Sequence, residues 1–177
     1  MSADEKIRRA ASLTRVHLLQ GELNRIVLTI TETQDDHRRF REDFPPVATE
    51  RNYDLVILAD ILTDYYTCVE TAFVRIAKTF ENEIEERHWH KSLLERMTVE
   101  IPNVRVRAIS DRTYRHLHEL MRFRHFRRYY FNRRYDRERM SLLEKSFLES
   151  IPMVRTDLTN FSAFLEDLAG RIGRGTR

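Results

Sequence analysis

Only four glycines occur in this chain of 177 residues (Gly21, Gly170, Gly173 and Gly175), so none stands between residues 22 and 169. Tight β-hairpins and glycine-rich phosphate loops need the positive φ angles that glycine supplies. Their exclusion over so long a stretch favours long helices. Cys68 is the single cysteine. That rules out an intrachain disulfide framework and a cysteine-based zinc site, and points to a reducing, cytoplasmic setting. No apolar run approaches the roughly 20 residues that cross a bilayer. The opening MSADEKIRRAASL lacks the apolar stretch of a signal peptide, so no membrane association is expected.

Proline is as rare as glycine, and its four positions, Pro45, Pro46, Pro102 and Pro152, punctuate the chain, because proline removes a hydrogen bond inside a helix. Between them apolar residues recur at helical spacing. Ser2 is placed to cap a first helix from Ala3 to about Phe40, with Ile7, Ala10, Ala11, Leu18, Leu19, Leu23, Ile26, Val27 and Ile30 as its apolar positions. The clearest pattern, Leu55, Leu58, Leu62, Tyr65, Val69, Phe73, Ile76 and Phe80, predicts a helix over 52–80. Shorter helices are predicted over 85–97 and, capped by Ser110, over 111–131. A last helical stretch starts near Asp136 and is expected to restart at Pro152. VRVRAI alternates but has no partner strand. The fold class is therefore all-α: one antiparallel bundle of five or six helices over 1–170, followed by a flexible tail over 171–177.

What the chain has in abundance is charge, and it is unevenly spread. The net charge is +3, yet the window 111–139 holds ten arginines against four acids. A local basic patch on a nearly neutral protein fits an anion or nucleic-acid footprint; a solvated arginine face fits equally well. On a helical wheel Tyr114, Leu117, Leu120 and Met121 form an apolar stripe that runs on through Arg124, His125, Arg128 and Phe131. An unpaired guanidinium on a core-facing stripe is costly and demands a phosphate, a carboxylate or water. Arg presents a fork matched to phosphate oxygens, and His moves protons near neutral pH. Equally, both arginines could pair with carboxylates of another helix. Phe123, Phe126 and Tyr130 make a second apolar stripe on the opposite face. His88 with His90, and His116 with His118, stand two residues apart and point to different sides of a helix, so no metal site is expected there.

Three stretches carry a resemblance: DYYTCVETAFVRIAKTFE, then RHWHKSLLERM with VEIPNVRVRAIS, then ELMRFRHFRRYYF leading to RRYDRERM. Their order and spacing, from Asp54 to Leu168, resemble the HepT-like branch of the HEPN superfamily. The resemblance implies an all-α homodimer whose basic helices line a shared cleft. It also implies a metal-independent endoribonuclease toxin needing no cofactor, with tRNA or mRNA as substrate. The implied partner is a nucleotidyltransferase (MNT) antitoxin, which in some systems adds AMP to a motif tyrosine. The family motif is Arg, four residues, His, one residue, Tyr. Here Arg124 takes the arginine position, Tyr129 stands where the histidine is found, and Phe131 replaces the tyrosine. His125 and Arg128 match an Arg-His-x-x-Arg pattern of this branch. The implied catalytic set is Arg124 and Arg128 as phosphate clamps, His125 as proton carrier, and Tyr129. Arg122, Arg127, Tyr130, Arg133 and Arg134 are the implied RNA contacts. Phe131 has no hydroxyl, so AMP would go to Tyr129 or Tyr130. The alternative is a silent module that binds a nucleotidyltransferase or nucleic acid without cutting it.

Overall fold

The computed structural model describes residues 2–45, 53–81, 89–129 and 134–174. They form five helices: α1 (Ala3–Asp43), α2 (Tyr53–Phe80), α3 (Trp89–Met97), α4 (Asp111–Tyr129) and α5 (Arg137–Arg174). Among the described residues there is no strand, and VRVRAI contributes only to an isolated bridge between Ile101 and Arg105. The helical bundle read from the sequence is thus the observed architecture.

The helix ends follow local chemistry. Ser2 closes a capping box with Glu5, its hydroxyl accepting from the Glu5 amide at 3.2 Å while the Glu5 carboxylate accepts from the Ser2 amide at 3.3 Å. Ser110 caps α4, accepting from the Thr113 amide at 3.2 Å, and Asp136 caps α5, accepting from the Arg139 amide at 2.7 Å. Before α4, Pro102 and Asn103 occupy the centre of a turn closed by Val104 N–H to Ile101 O at 3.0 Å. Asn103 has φ +63°, the left-handed value a turn of this kind requires after proline.

Pro152 does not restart a helix, contrary to the expectation from sequence: it lies inside α5, which is continuous. Pro152 and Leu148 share an exposed face, so the Leu148 carbonyl that loses its partner faces water instead of the core. Residues 171–174, expected to be a tail, are the end of α5, and 175–177 lie outside the described residues.

Helix α1 packs on α2 and α5, α4 packs on α5 and α2, and α3 touches both α2 and α4. The shared core is built from Leu19, Leu23, Leu58, Tyr65, Phe73, Phe147 and Phe161, all essentially inaccessible. Each such side chain contributes about 1.5–3 kcal/mol. Tyr65 keeps its hydroxyl satisfied against Ser150 at 2.8 Å, and burial pushes its phenol well above the usual range. On α1, Ile7, Ala11 and Leu18, which sequence periodicity assigned to the apolar face, are exposed instead; Val16, Leu19, Leu23 and Ile30 face the core.

Two polar clusters lock the periphery. Arg105 is fully buried and donates to Glu81 at 2.7 Å and to the carbonyls of Arg96 (3.0 Å) and Val99 (2.9 Å). It thereby holds the α3–α4 connection on the end of α2. Glu144 of α5 accepts from His37 at 2.6 Å and from Arg41 Nε at 2.5 Å on α1.

Candidate nucleic-acid interface

The start of α4 is fixed to α5, where Asp157 accepts from the Ser110 amide at 3.0 Å and from the Thr113 hydroxyl at 2.5 Å. From there α4 buries Thr113, Leu117, Leu120 and Phe123. That stripe is rotated by roughly 65° from the one read off the wheel, because Phe123 belongs to it while Tyr114 and Met121 are only half-buried. Phe123, expected on the opposite face, is core and packs against Tyr135 with ring centroids 5.9 Å apart.

The rotation separates the arginines. Arg124 and Arg127 turn toward α2, which meets them with Asp60, Thr63, Thr67 and Glu70, a polar row along one side of the helix. Arg124 Nε donates to the Thr67 hydroxyl at 3.0 Å, its Nη1 lies 3.2 Å from a Glu70 oxygen, and its guanidinium sits 5.9 Å from the centre of the Tyr66 ring. Glu70 is only 7% exposed. Burial, with the Glu70 charge nearby, pushes the Tyr66 phenol far up, so it stays protonated. Arg127 pairs with Asp60 and donates to the Ala59 carbonyl at 3.0 Å and the Thr63 hydroxyl at 3.2 Å. Burial acts to lower its pKa, but the contacts with Asp60 outweigh this and leave it raised.

Arg122, His125, Arg128 and Tyr129 face outward and are exposed. The His125 and Tyr129 rings touch, with centroids 4.5 Å apart and planes at 44°. Among the described residues Arg122 has a loose pair with Glu119 at 3.7 Å. Arg128 has no ion pair or hydrogen bond among the described residues. Arg134 is exposed ahead of α5; Tyr130, Phe131 and Arg133 lie outside the described residues. Phe126 is half-buried beneath the Arg139 guanidinium at 5.6 Å. The sequence-predicted set is therefore divided: His125, Arg128 and Tyr129 form an outward-facing group, and Arg124 stands behind it on the α2 side. The helical wheel put Arg124, His125 and Arg128 on a core-facing stripe, and that placement is corrected for His125 and Arg128.

Sequence reading missed the α2 row, although Asp60, Thr63, Thr67 and Glu70 stand at spacings of three, four and three residues. That is the signature of a single helix face, and it matches two arginines three residues apart on α4. His116 and His118 have different partners: His116 lies 3.6 Å from Glu149 and His118 3.7 Å from Glu119. His88, and the side chain of His90, lie outside the described residues. Among the described residues no three His, Cys, Asp or Glu side chains are grouped to hold a metal ion. None of their helices is long and apolar enough to cross a membrane.

An all-α bundle with an outward-facing basic helix end defines the class of molecule. A family model described as HepT-like protein matches residues 57–165, from early α2 to late α5, and the chain belongs to that family. Neither a curated protein nor a solved structure matches it.

Proposed function

We propose that this HepT-like protein is an endoribonuclease that works without a metal, with its reacting groups on the outer face of α4. The observation that carries the reading is the exposure of His125, Arg128 and Tyr129 at positions i, i+3 and i+4 of α4, with the His125 and Tyr129 rings in contact. RNA can be cut by its own 2′-hydroxyl, which needs a base, an acid and a cation beside the phosphate. His125 takes the 2′-hydroxyl proton. The 2′-oxygen attacks the adjacent phosphorus, forming a cyclic phosphate, and the 5′-oxygen leaves. The Tyr129 hydroxyl gives a proton to that oxygen. Arg128 holds the phosphate oxygens as charge builds on them. Arg124, engaged by Glu70 and Thr67, is a positioning residue that fixes the end of α4 on α2. Arg122 and Arg134, both exposed, extend the basic track for tRNA or mRNA, while Arg127 is engaged by Asp60 on α2.

In this reading the protein acts as the toxin of a toxin–antitoxin pair, as a homodimer. Its partner is a nucleotidyltransferase that would transfer AMP from ATP to the Tyr129 hydroxyl with release of pyrophosphate. The 60% exposure of Tyr129 makes it a reachable acceptor. A second reading has its own observation. Arg124 is already engaged by Glu70, and tyrosine stands at 129, which suits a module that binds RNA or the transferase without cutting.

Incubation of the full chain with total RNA and with tRNA, in chelator, decides between them. Cleavage lost in both His125→Ala and Arg128→Ala supports the ribonuclease. Cleavage equal in all three proteins overturns it. Salt-sensitive RNA binding with no products favours the silent module.

A further inference from the structure

We propose that the outward ridge of α4 binds a single strand of RNA, with one base stacked on His118 where Tyr114 backs it and the neighbouring phosphates on Arg115 and Arg122. This rests on the RNA-directed reading of α4 and deepens it, because it names the form of RNA that the helix takes and a binding site three turns away from the reacting group.

Opposite the buried Thr113, Leu117, Leu120 and Phe123, the residues Arg115, His118, Arg122, His125 and Tyr129 follow one another at spacings of three or four. They form one ridge in which guanidinium and ring alternate over about 21 Å. Two ring pairs stand on it. Tyr114 and His118 stack with centroids 5.6 Å apart and planes at 28°. His125 and Tyr129 repeat that i, i+4 contact three turns further on, about 17 Å along the axis and on the same side of the helix. Tyr114 packs against the core and backs His118, whose side chain stays 27% exposed. The cations between the rings are available. Arg115 is exposed, with no ion pair or hydrogen bond among the described residues. Glu119 stands 3.7 Å from both His118 and Arg122, and contacts so loose at the surface are worth about 0–1 kcal/mol. Helix α4 as a whole carries six arginines against two acids, an excess that a phosphate chain neutralises.

The arginines alone would accept a duplex or a single strand. The rings decide between them. A ring takes a base by stacking on its face, and in a duplex both faces of a base are already covered by its neighbours. The base edges of an A-form duplex are no easier to reach, because its major groove is too deep and narrow for side chains and its minor groove offers mainly 2′-hydroxyls. A strand with splayed bases fits the ridge: one base lies on His118, the next phosphates lie on Arg122, and the scissile phosphate reaches Arg128 beside His125. Asp111, one turn before Arg115, ends the track, since its carboxylate repels a further phosphate.

Fluorescence anisotropy of a labelled RNA strand of about 12 nucleotides, with the full chain in chelator, tests the track; the same strand annealed to its complement runs beside it. The single strand should bind at least about tenfold more tightly than the duplex. His118→Ala should weaken single-strand binding by about 5–150-fold, the worth of one stacked base. His118→Phe, which keeps a ring and has no charge, should restore most of that loss. Arg115→Ala should make the log–log salt dependence shallower by about 0.7, one phosphate contact fewer. Helix content should be unchanged in all three variants, because neither position belongs to the core. These responses without any cleavage would support the track and overturn the ribonuclease. Cleavage by the wild type, with His118→Ala and Arg115→Ala binding as tightly as it does, would overturn the track and leave the ribonuclease standing. A duplex bound as tightly as the single strand, His118→Phe as weak as His118→Ala, or no binding of either RNA would also overturn the track.

Discussion

Arg124 and Arg128 are one helical turn apart, yet one guanidinium is held by Glu70 and Thr67 while the other stands in solvent. The two arginine variants should therefore fail for different reasons. Arg124→Ala leaves the buried Glu70 carboxylate without its guanidinium, and we expect a loss of about 1–3 kcal/mol in stability, read by urea unfolding. Adding Glu70→Gln should restore much of that loss; strict additivity of the two changes would contradict the coupling. Arg128→Ala should leave the unfolding midpoint within about 0.5 kcal/mol of wild type while weakening RNA cleavage or binding. An unfolding midpoint lowered as far as that of Arg124→Ala would place Arg128 in the fold instead of on the surface. Loss of activity in Arg124→Ala alone thus cannot identify a reacting group, whereas loss in Arg128→Ala and His125→Ala can.

At the level of elements, the junctions between helices are set by a few buried ion pairs. Arg105 closes the α3–α4 connection over the Glu81 carboxylate and three backbone carbonyls, and its own burial acts to lower its pKa. Removing one partner of such a pair strands the other charge, so Arg105→Ala should cost about 3–5 kcal/mol, measured by thermal or denaturant unfolding. A change below about 1 kcal/mol would show that water replaces the guanidinium. Helix α5 carries Pro152 without a break because the freed carbonyl faces solvent. Pro152→Ala should then raise the melting temperature by a few degrees, as a recovered backbone bond worth about 1 kcal/mol would. A lower melting temperature would mean that the proline geometry is needed for α5 to follow α1 and α2.

For the molecule as a whole, two carboxylates tie distant segments together. Burial acts to raise the pKa of Glu144, but the hydrogen bonds from His37 and Arg41 outweigh it and leave Glu144 below its usual range. Burial likewise acts to raise Asp54, and Arg137 outweighs it, leaving Asp54 lowered. A carboxylate held below its unfolded value stabilises the fold above that value, about pH 4. That contribution is lost as pH falls through the folded value. Stability should therefore fall steeply below about pH 4, and Glu144→Gln with Asp54→Asn should flatten that acid limb. An unchanged limb in the double variant would assign acid unfolding to other groups.

Helix existence and order were legible in the chain, because apolar spacing, Ser2 and Ser110 as caps, and the lack of glycine are local properties that act within a few residues. The basic end of α4 was legible too, as was the resemblance in the spacing of its three stretches. Which side of α4 faces the core was not. Tyr114 and Met121 make as good an apolar stripe as Thr113 and Phe123 until α5 supplies Asp157 for Thr113 and the Phe123–Tyr135 contact fills its place. The same holds for α1, where Leu18 and Leu19 are chemically alike and only packing against α2 and α5 leaves the first outside. The division between tethered Arg124 and Arg127 and outward-facing His125, Arg128 and Tyr129 was decided by the tertiary structure. It depends on a row of acids and threonines more than fifty residues away in sequence, and charge pairing across that separation exists only once the helices have packed.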